Sequence, residues 1–492
     1  MRRRPFGAML ATLAALALAA ALPGPASAGA AARDLLVADV TVIDPVQGRR
    51  PGMDVLIRGG RIEAVRPHGA QGVGGARLVD GRGRFLIPGL WDMHVHLSFD
   101  AEVSASMLSL FIAHGITAVR DTGGPLDAVL AWRRRAERAT PQAPRVFVAG
   151  PLLDGVPTVY DGSAEGYPAL SVAVTDPRRA TAWVDALAAR GVDFIKAYEM
   201  LDPATFRQVV ARARRHGLPV AGHVPLTMSP AQASDAGLAS IEHLRNVEIG
   251  CTASEGAMLD ARRAMLAERG DAPGREVRRQ AHAAHRLSAA LSVDWARCER
   301  LLERMNRNGT RQVPTLALVR AVYEGFHAEP GWRASFDLLP PAARETWRAS
   351  SERLGGLFAE DPAGNAGRAA YLAWVRSVVA RLAGTHMIMA GTDTPIFFMT
   401  PGLSLHEELA SLVGAGLTPA QALEAATLTP ARFFGLEAEA GAVAPGFRAD
   451  LVLLEADPLE DIRHTVRIGA VVRDGALLDR AALDAVLAAA RQ

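Results

Sequence analysis

From residue 86 onward the chain repeats one pattern, a short apolar run followed by an amphipathic stretch. The runs lie near Leu90–His96, Thr117–Arg120, Arg145–Ala149, Phe194–Lys196, Val220–His223, Ser240–His243, Gln312–Thr315 and Met387–Gly391. Short apolar runs bounded by turn signals read as buried strands, and strands alternating with helical patterns imply a parallel sheet. Eight such units predict an α/β protein built on a closed (β/α)8 TIM-like barrel over residues 86–439. Two connections are long, at about 70 residues each, and rich in Ala, Arg, Leu and Glu. They are expected to be helical insertions, about 247–310 and 317–385, placed to lid the site.

The two ends have a different texture. Leu35–Asp44 and Asp54–Ile62 are β-rich segments, the second interrupted by the turn signal Gly59-Gly60. Ala449–Leu454 and Val466–Gly475 repeat that texture at the far end. Residues 29–85 and 440–492 are therefore expected to form one small β-sandwich from both termini. Residues 1–28 read as an export signal: Arg2, Arg3 and Arg4, an apolar stretch Met9–Leu22, then Ala26-Ser27-Ala28 as a cleavage point. The stretch is short for a bilayer span, and no other segment is apolar enough to be one. Arg3-Arg4-Pro5-Phe6 partly matches a twin-arginine signal, so either export route suits it and the protein is expected in the periplasm or secreted.

Charge narrows the partners. The chain carries 54 basic and 52 acidic residues; without residues 1–28 the count becomes 51 against 52. Such a balance shows no basic stripe for nucleic acid and no polybasic membrane patch. A small-molecule or dipeptide-like substrate is the expected partner, and self-association into a homo-oligomer is left open. The two cysteines, Cys251 and Cys298, are able to pair in an oxidising compartment; neither has a CxxC partner for a thiolate metal site.

One of the 54 basic residues is a lysine, Lys196, at the end of an apolar run. Arginine stays charged, whereas a desolvated lysine amine becomes a nucleophile that captures carbon dioxide as a carbamate, a carboxylate-like ligand able to bridge two metals. A solvent-facing survivor of an arginine-biased composition is the alternative. His94-Val95-His96 places two imidazoles on one face of a strand, within reach of one metal. His223, His243 and Asp393 end three further runs, the rim where barrel enzymes place their chemistry. Each alone reads equally well as a capped histidine or a helix-start aspartate; their convergence with Lys196 on one rim points to a metal site. Tyr198, two residues beyond Lys196, is placed either to meet substrate or to pack under a lid. Arg120-Asp121 is placed to hold a substrate carboxylate or to pair internally. His406 reads as structural, and His114, His216 and His386 belong to the opposite rim.

The segment Pro88–His96, with Lys196, His223, His243 and Asp393, resembles the metal-dependent amidohydrolase superfamily. The resemblance continues through Thr418–Leu423, Ala425–Thr427, Pro430–Arg432, Gly441, Pro445-Gly446 and Ala449–Val452. Within it the chain looks most like the imidazolonepropionase-related group that includes prolidases and other dipeptidases. That resemblance implies a binuclear zinc enzyme. His94, His96 and Asp393 would hold one Zn2+, His223 and His243 a second, and carbamylated Lys196 would bridge them. A water shared by two metals would be deprotonated near neutral pH, with Asp393 as the catalytic proton carrier. Two departures bear on specificity. The segment after the third strand, Gly150–Pro157, has no histidine, and Val224-Pro225-Leu226 after His223 has no aromatic residue.

The expected activity is hydrolysis of carbon–nitrogen bonds in peptides or N-acyl amino acids. The same chemistry would also cleave esters, lactones or phosphotriesters. Heterocycle deamination is disfavoured, because such relatives usually use one metal without the lysine. A binding or scaffold protein on the same fold is the non-enzymatic alternative.

Overall fold

The computed structural model describes residues 34–69, 75–359 and 362–491; the segment read as an export signal lies outside them. The fold is the expected α/β one, a parallel barrel beside a sheet built from both chain ends.

The barrel strands are Leu90–Val95, Ile116–Asp121, Arg145–Val148, Ile195–Ala197, Val220–Gly222, Ser240–Glu242 and Arg311–Val313, and every paired neighbour is parallel. The eighth run closes the ring as extended backbone. Met389 N donates to Gln312 O (2.9 Å), and Met93 N donates to Ala390 O (2.9 Å). Between the third and fourth strands the ring is joined by Asp193 N donating to Val148 O at 2.9 Å. Helices start just beyond the strand ends because capping side chains stop the loops. Asp100 accepts from the amides of Glu102 and Val103, Asp176 from Arg178 and Arg179, and Asp202 from Ala204 and Thr205.

Both long connections are helical, as their composition predicts. The first holds Glu255–Ala267, Gly274–Leu291 and Trp295–Arg307; the second holds Leu316–Glu324, Pro341–Ala359 and Pro362–Leu382. Cys251 and Cys298 are disulfide-bonded, tying the sixth strand's loop to Trp295–Arg307. The region after the third strand is richer than the loop expected there. Leu152–Asp154 is a short strand beside Ser171–Ala173, and Asp161–Ala164 pairs with Tyr167–Ala169 as a hairpin over the rim.

The terminal sheet runs Ala476–Asp479, Ile468–Arg473, Leu451–Leu454, Phe85–Pro88, Leu35–Asp44, Gly48–Arg58, Arg61–Pro67. Its join is the pairing of Phe85–Pro88, which leads directly into the first barrel strand, with Leu451–Leu454. Leu35–Asp44 bends where its register shifts between Val37 and Val40, and Asp39 there has a left-handed φ of 54°. Its first half pairs with Arg77–Asp80 and its second with Phe85 and Leu86, so one strand serves two layers. A separate apolar core fills the fold of this sheet, including Val37, Val55, Ile62, Leu451 and Val472. The final helix, Arg480–Ala490, packs Leu483 and Val486 into the barrel's core instead.

Candidate metal centre

His94 and His96 leave the first strand on the same face, and Asp393 arrives from the eighth. Asp393 Oδ1 lies 3.1 Å from Nε2 of both His94 and His96, and its Oδ2 lies 3.8 Å from His243 Nε2. The four imidazoles form one chain of rings: His96 to His94 at 5.3 Å, His94 to His243 at 4.6 Å, and His243 to His223 at 5.2 Å between centroids. With Lys196 they line one cavity of about 370 Å³ at the C-terminal rim. All six rim residues singled out in the sequence therefore share it.

Backbone geometry makes this convergence possible. His243 (φ 58°) and Asp393 (φ 62°) are both left-handed, a conformation costing on the order of 1–3 kcal/mol where surrounding structure enforces it. The enforcement is visible: His243 N donates to Val313 O and Asp393 N to His94 O, each at 2.7 Å. Gly391 lets the eighth strand approach, since a Cβ there would lie 2.6 Å from Val313 Cγ1 and 3.0 Å from His94 Cβ.

Each imidazole is oriented through its other nitrogen. His94 Nδ1 donates to Glu242 Oε2 (2.7 Å), His223 Nδ1 to Glu199 Oε1 (2.8 Å) and His96 Nδ1 to Gly123 O (3.2 Å). His243 Nδ1 meets Thr315 Oγ1 at 2.7 Å. A ring whose Nδ1 is so committed presents an Nε2 lone pair, as a ligating histidine does. Burial lowers the basicity of His94, takes His223 down to about 3 and puts His243 well below the usual value. Burial works against ionised Asp393, but the neighbouring His94 and His243 hold its carboxyl well below the usual range.

This donor set fits divalent cations. Imidazole lone pairs and a carboxylate oxygen 3.1 Å apart repel unless a cation lies among them. Lys196 is 1% exposed, and its Nζ has no hydrogen-bond partner among the described residues. Burial lowers its amine to about 8, which leaves about a tenth of it neutral at pH 7.

The two residues singled out for substrate fare differently. Tyr198 lines the cavity, stacks 4.5 Å from His223, and its hydroxyl accepts from Arg278 Nη1 at 2.8 Å. Arg120 must be corrected: it is fully buried behind the histidines and reaches no part of the cavity. Its guanidinium donates to both oxygens of Glu242 (2.8 Å each), to Met93 O and to Ser240 Oγ, so Asp121 is not its partner either. His406 is structural, donating through Nε2 to His114 O at 3.0 Å.

Several contributors went unpredicted. Glu199 is fully buried and accepts from both His223 and His282 Nε2 (2.6 Å). Arg278, His282 and Arg286 recur at four-residue steps on Gly274–Leu291, a polar stripe that was a usable signal. Tyr160 and Tyr167 come from the hairpin region, Tyr323 and Tyr371 from the second insertion.

Comparison with known proteins agrees with this geometry. A model of the Amidohydrolase family matches residues 85–306 and 375–478, and the chain belongs to that family, whose members are metal-dependent. Its structure is similar to that of a bottromycin amidohydrolase, with a TM-score of 0.66 and 26% identity over 93% of this chain and 90% of that one. A Xaa-Pro dipeptidase with bound methionine is similar in fold, with a TM-score of 0.62 and 19% identity over 91% of this chain and all of that one. Among curated proteins, the imidazolonepropionase of Chromobacterium violaceum is 30% identical over 247 residues, 38% of this chain and 57% of that protein. Adenine deaminases also match, over smaller shares of their own length; the chain spans 16% of the one from Deinococcus radiodurans and 32% of one from Rhizobium johnstonii.

Proposed function

We propose that the protein is an exported binuclear zinc amidohydrolase that cleaves amide bonds of peptides or N-acyl amino acids. The observation that carries this reading is the convergence of four oriented imidazoles, Asp393 and a buried, unpartnered Lys196 on one cavity. His94, His96 and Asp393 would hold one cation, His223 and His243 the other, with carbamylated Lys196 between them. Cations held there would supply an acidified water and a Lewis acid for the scissile carbonyl.

The chain's own residues do the rest. Asp393 takes a proton from the attacking water and returns it to the departing nitrogen, a role suited to a carboxylate kept ionised beside the ligating histidines. Glu242 and Glu199 fix His94 and His223, so the ligand set needs little rearrangement in each turnover. Tyr198 offers a hydroxyl at the cavity wall, held by Arg278. The helical insertions and the hairpin supply the cavity's outer wall. The amide reading is further supported by the likeness to a bottromycin amidohydrolase over most of both chains. The adenine deaminase matches span much smaller shares of those proteins. Export is supported by the signal-like residues 1–28 and by the Cys251–Cys298 pairing.

The test is turnover of the zinc-loaded protein, recovered from the periplasm with an N-terminus expected at Gly29, on dipeptides and N-acyl amino acids. Hydrolysis that a chelator abolishes and zinc restores is the predicted result. Ammonia release from adenine with no amide cleavage would overturn the reading.

A further inference from the structure

The catalytic cavity opens into a second chamber of about 420 Å³, and the two share Tyr167, Arg245, Arg278, Arg286, Tyr323 and Tyr371. Three guanidinium groups thus line the throat between them. Their protein partners are weak ones for such groups. Arg278 donates to the hydroxyl of Tyr198, and Arg286 donates to that of Tyr323 at 2.8 Å and contacts His282. The Arg245 side chain donates no hydrogen bond to any described residue, although it is 21% exposed and its Nε is fully buried.

The acids nearby do not neutralise this wall. Glu199 lies 4.0 Å from Arg245 and 3.7 Å from Arg278, while its own oxygens are taken up by His223 and His282. Glu248 lies 3.8 Å from Arg286. The three throat guanidiniums thus face two carboxylates, neither of them nearer than 3.7 Å. A half-enclosed excess of guanidinium with unused donors matches a planar anion able to accept two parallel hydrogen bonds.

Position selects the anion. Arg245 follows the rim histidine His243 by two residues, so its ligand lies close to the bond being cleaved. In an acylated amino acid the carboxylate is separated from the scissile nitrogen by a single carbon.

We propose that the throat is a carboxylate subsite. Arg245, flanked by Arg278 and Arg286, holds the free carboxylate of an N-acyl amino acid or short peptide whose amide faces the histidine cluster. This rests on the amidohydrolase reading for the orientation of the substrate. The subsite is built from the sixth strand's loop and the first helical insertion, not from the loops after the third and fifth strands. Aromatic walls on both sides, Tyr160 and Tyr198 against Tyr323 and Tyr371, favour an aromatic or large apolar side chain next to that carboxylate.

The test uses two probes that cannot be hydrolysed, 4-phenylbutanoate and 4-phenylbutanol, titrated calorimetrically into the zinc-loaded full chain. The wild type is expected to bind the acid about 10- to 100-fold more tightly than the alcohol, the range of a charge-assisted hydrogen-bond pair. Arg245→Gln should reduce that preference to about 3-fold or less with metal content unchanged, and Arg245→Lys should recover part of it. Equal binding of the two probes by the wild type overturns the proposal, whether or not the variants fold. A preference that survives in Arg245→Gln overturns it too, because the acid would then be held by the metals. Turnover of N-acetyl-phenylalanine is read separately. Carboxylate preference without turnover faults the hydrolase reading and supports the subsite; turnover without preference faults the subsite alone.

Discussion

Arg120 and Glu242 show how a residue can serve the metal centre without touching substrate. Glu242 receives His94 on one oxygen and Arg120 on both, in a pocket with no solvent exposure. Burial works against its charge, but Arg120 holds its carboxyl well below the usual range, so it stays ionised and fixes the His94 ring. Removing one partner of such a pair leaves an uncompensated buried charge. Arg120→Ala is therefore expected to lower unfolding free energy by roughly 3–5 kcal/mol, read from urea denaturation. An unchanged midpoint with a raised KM alone would return Arg120 to substrate binding. From sequence, an arginine at a strand's end reads as a rim residue. Its side chain turns inward here because Glu242, four strands further round the barrel, offers a carboxylate only in three dimensions.

At the scale of elements, the strands were legible and the walls were not. Every barrel strand carries its own signal, a short apolar run, and five of the eight runs end in a residue with chemistry: His94 and His96, Lys196, His223, His243 and Asp393. The insertions announce only that they are helical. Which face of Gly274–Leu291 turns toward the cavity depends on its packing against Pro362–Leu382 and the sixth strand's loop, and local pattern does not encode that. Glu199 was hidden for the same reason: its partners His223 and His282 come from elements far apart in the chain. The disulfide secures one of these insertions by closing a loop across 47 residues. Replacing Cys251 and Cys298 together by serine is expected to cost about 2–4 kcal/mol of stability, with metal content retained. A loss of metal at full stability would instead make the bridge part of the site's geometry.

For the whole molecule, the barrel and terminal sheet form one continuous structure, joined where Phe85–Pro88 passes into Leu90–Val95. That join places the first histidine pair a few residues from the sheet, and a separate apolar cluster including Trp91, Phe147, Phe194 and Met389 draws on the barrel strands themselves. The rim gathers four imidazoles, one carboxylate and a buried amine, and on the proposed reading this set holds two cations with a modified lysine between them. The measurement that tests this most directly is zinc per chain, by mass spectrometry, in the wild type and Lys196→Ala after loading in the presence of bicarbonate. The account predicts two zinc ions in the wild type and one or fewer in the variant. A single zinc in the wild type, or two retained without Lys196, would contradict it.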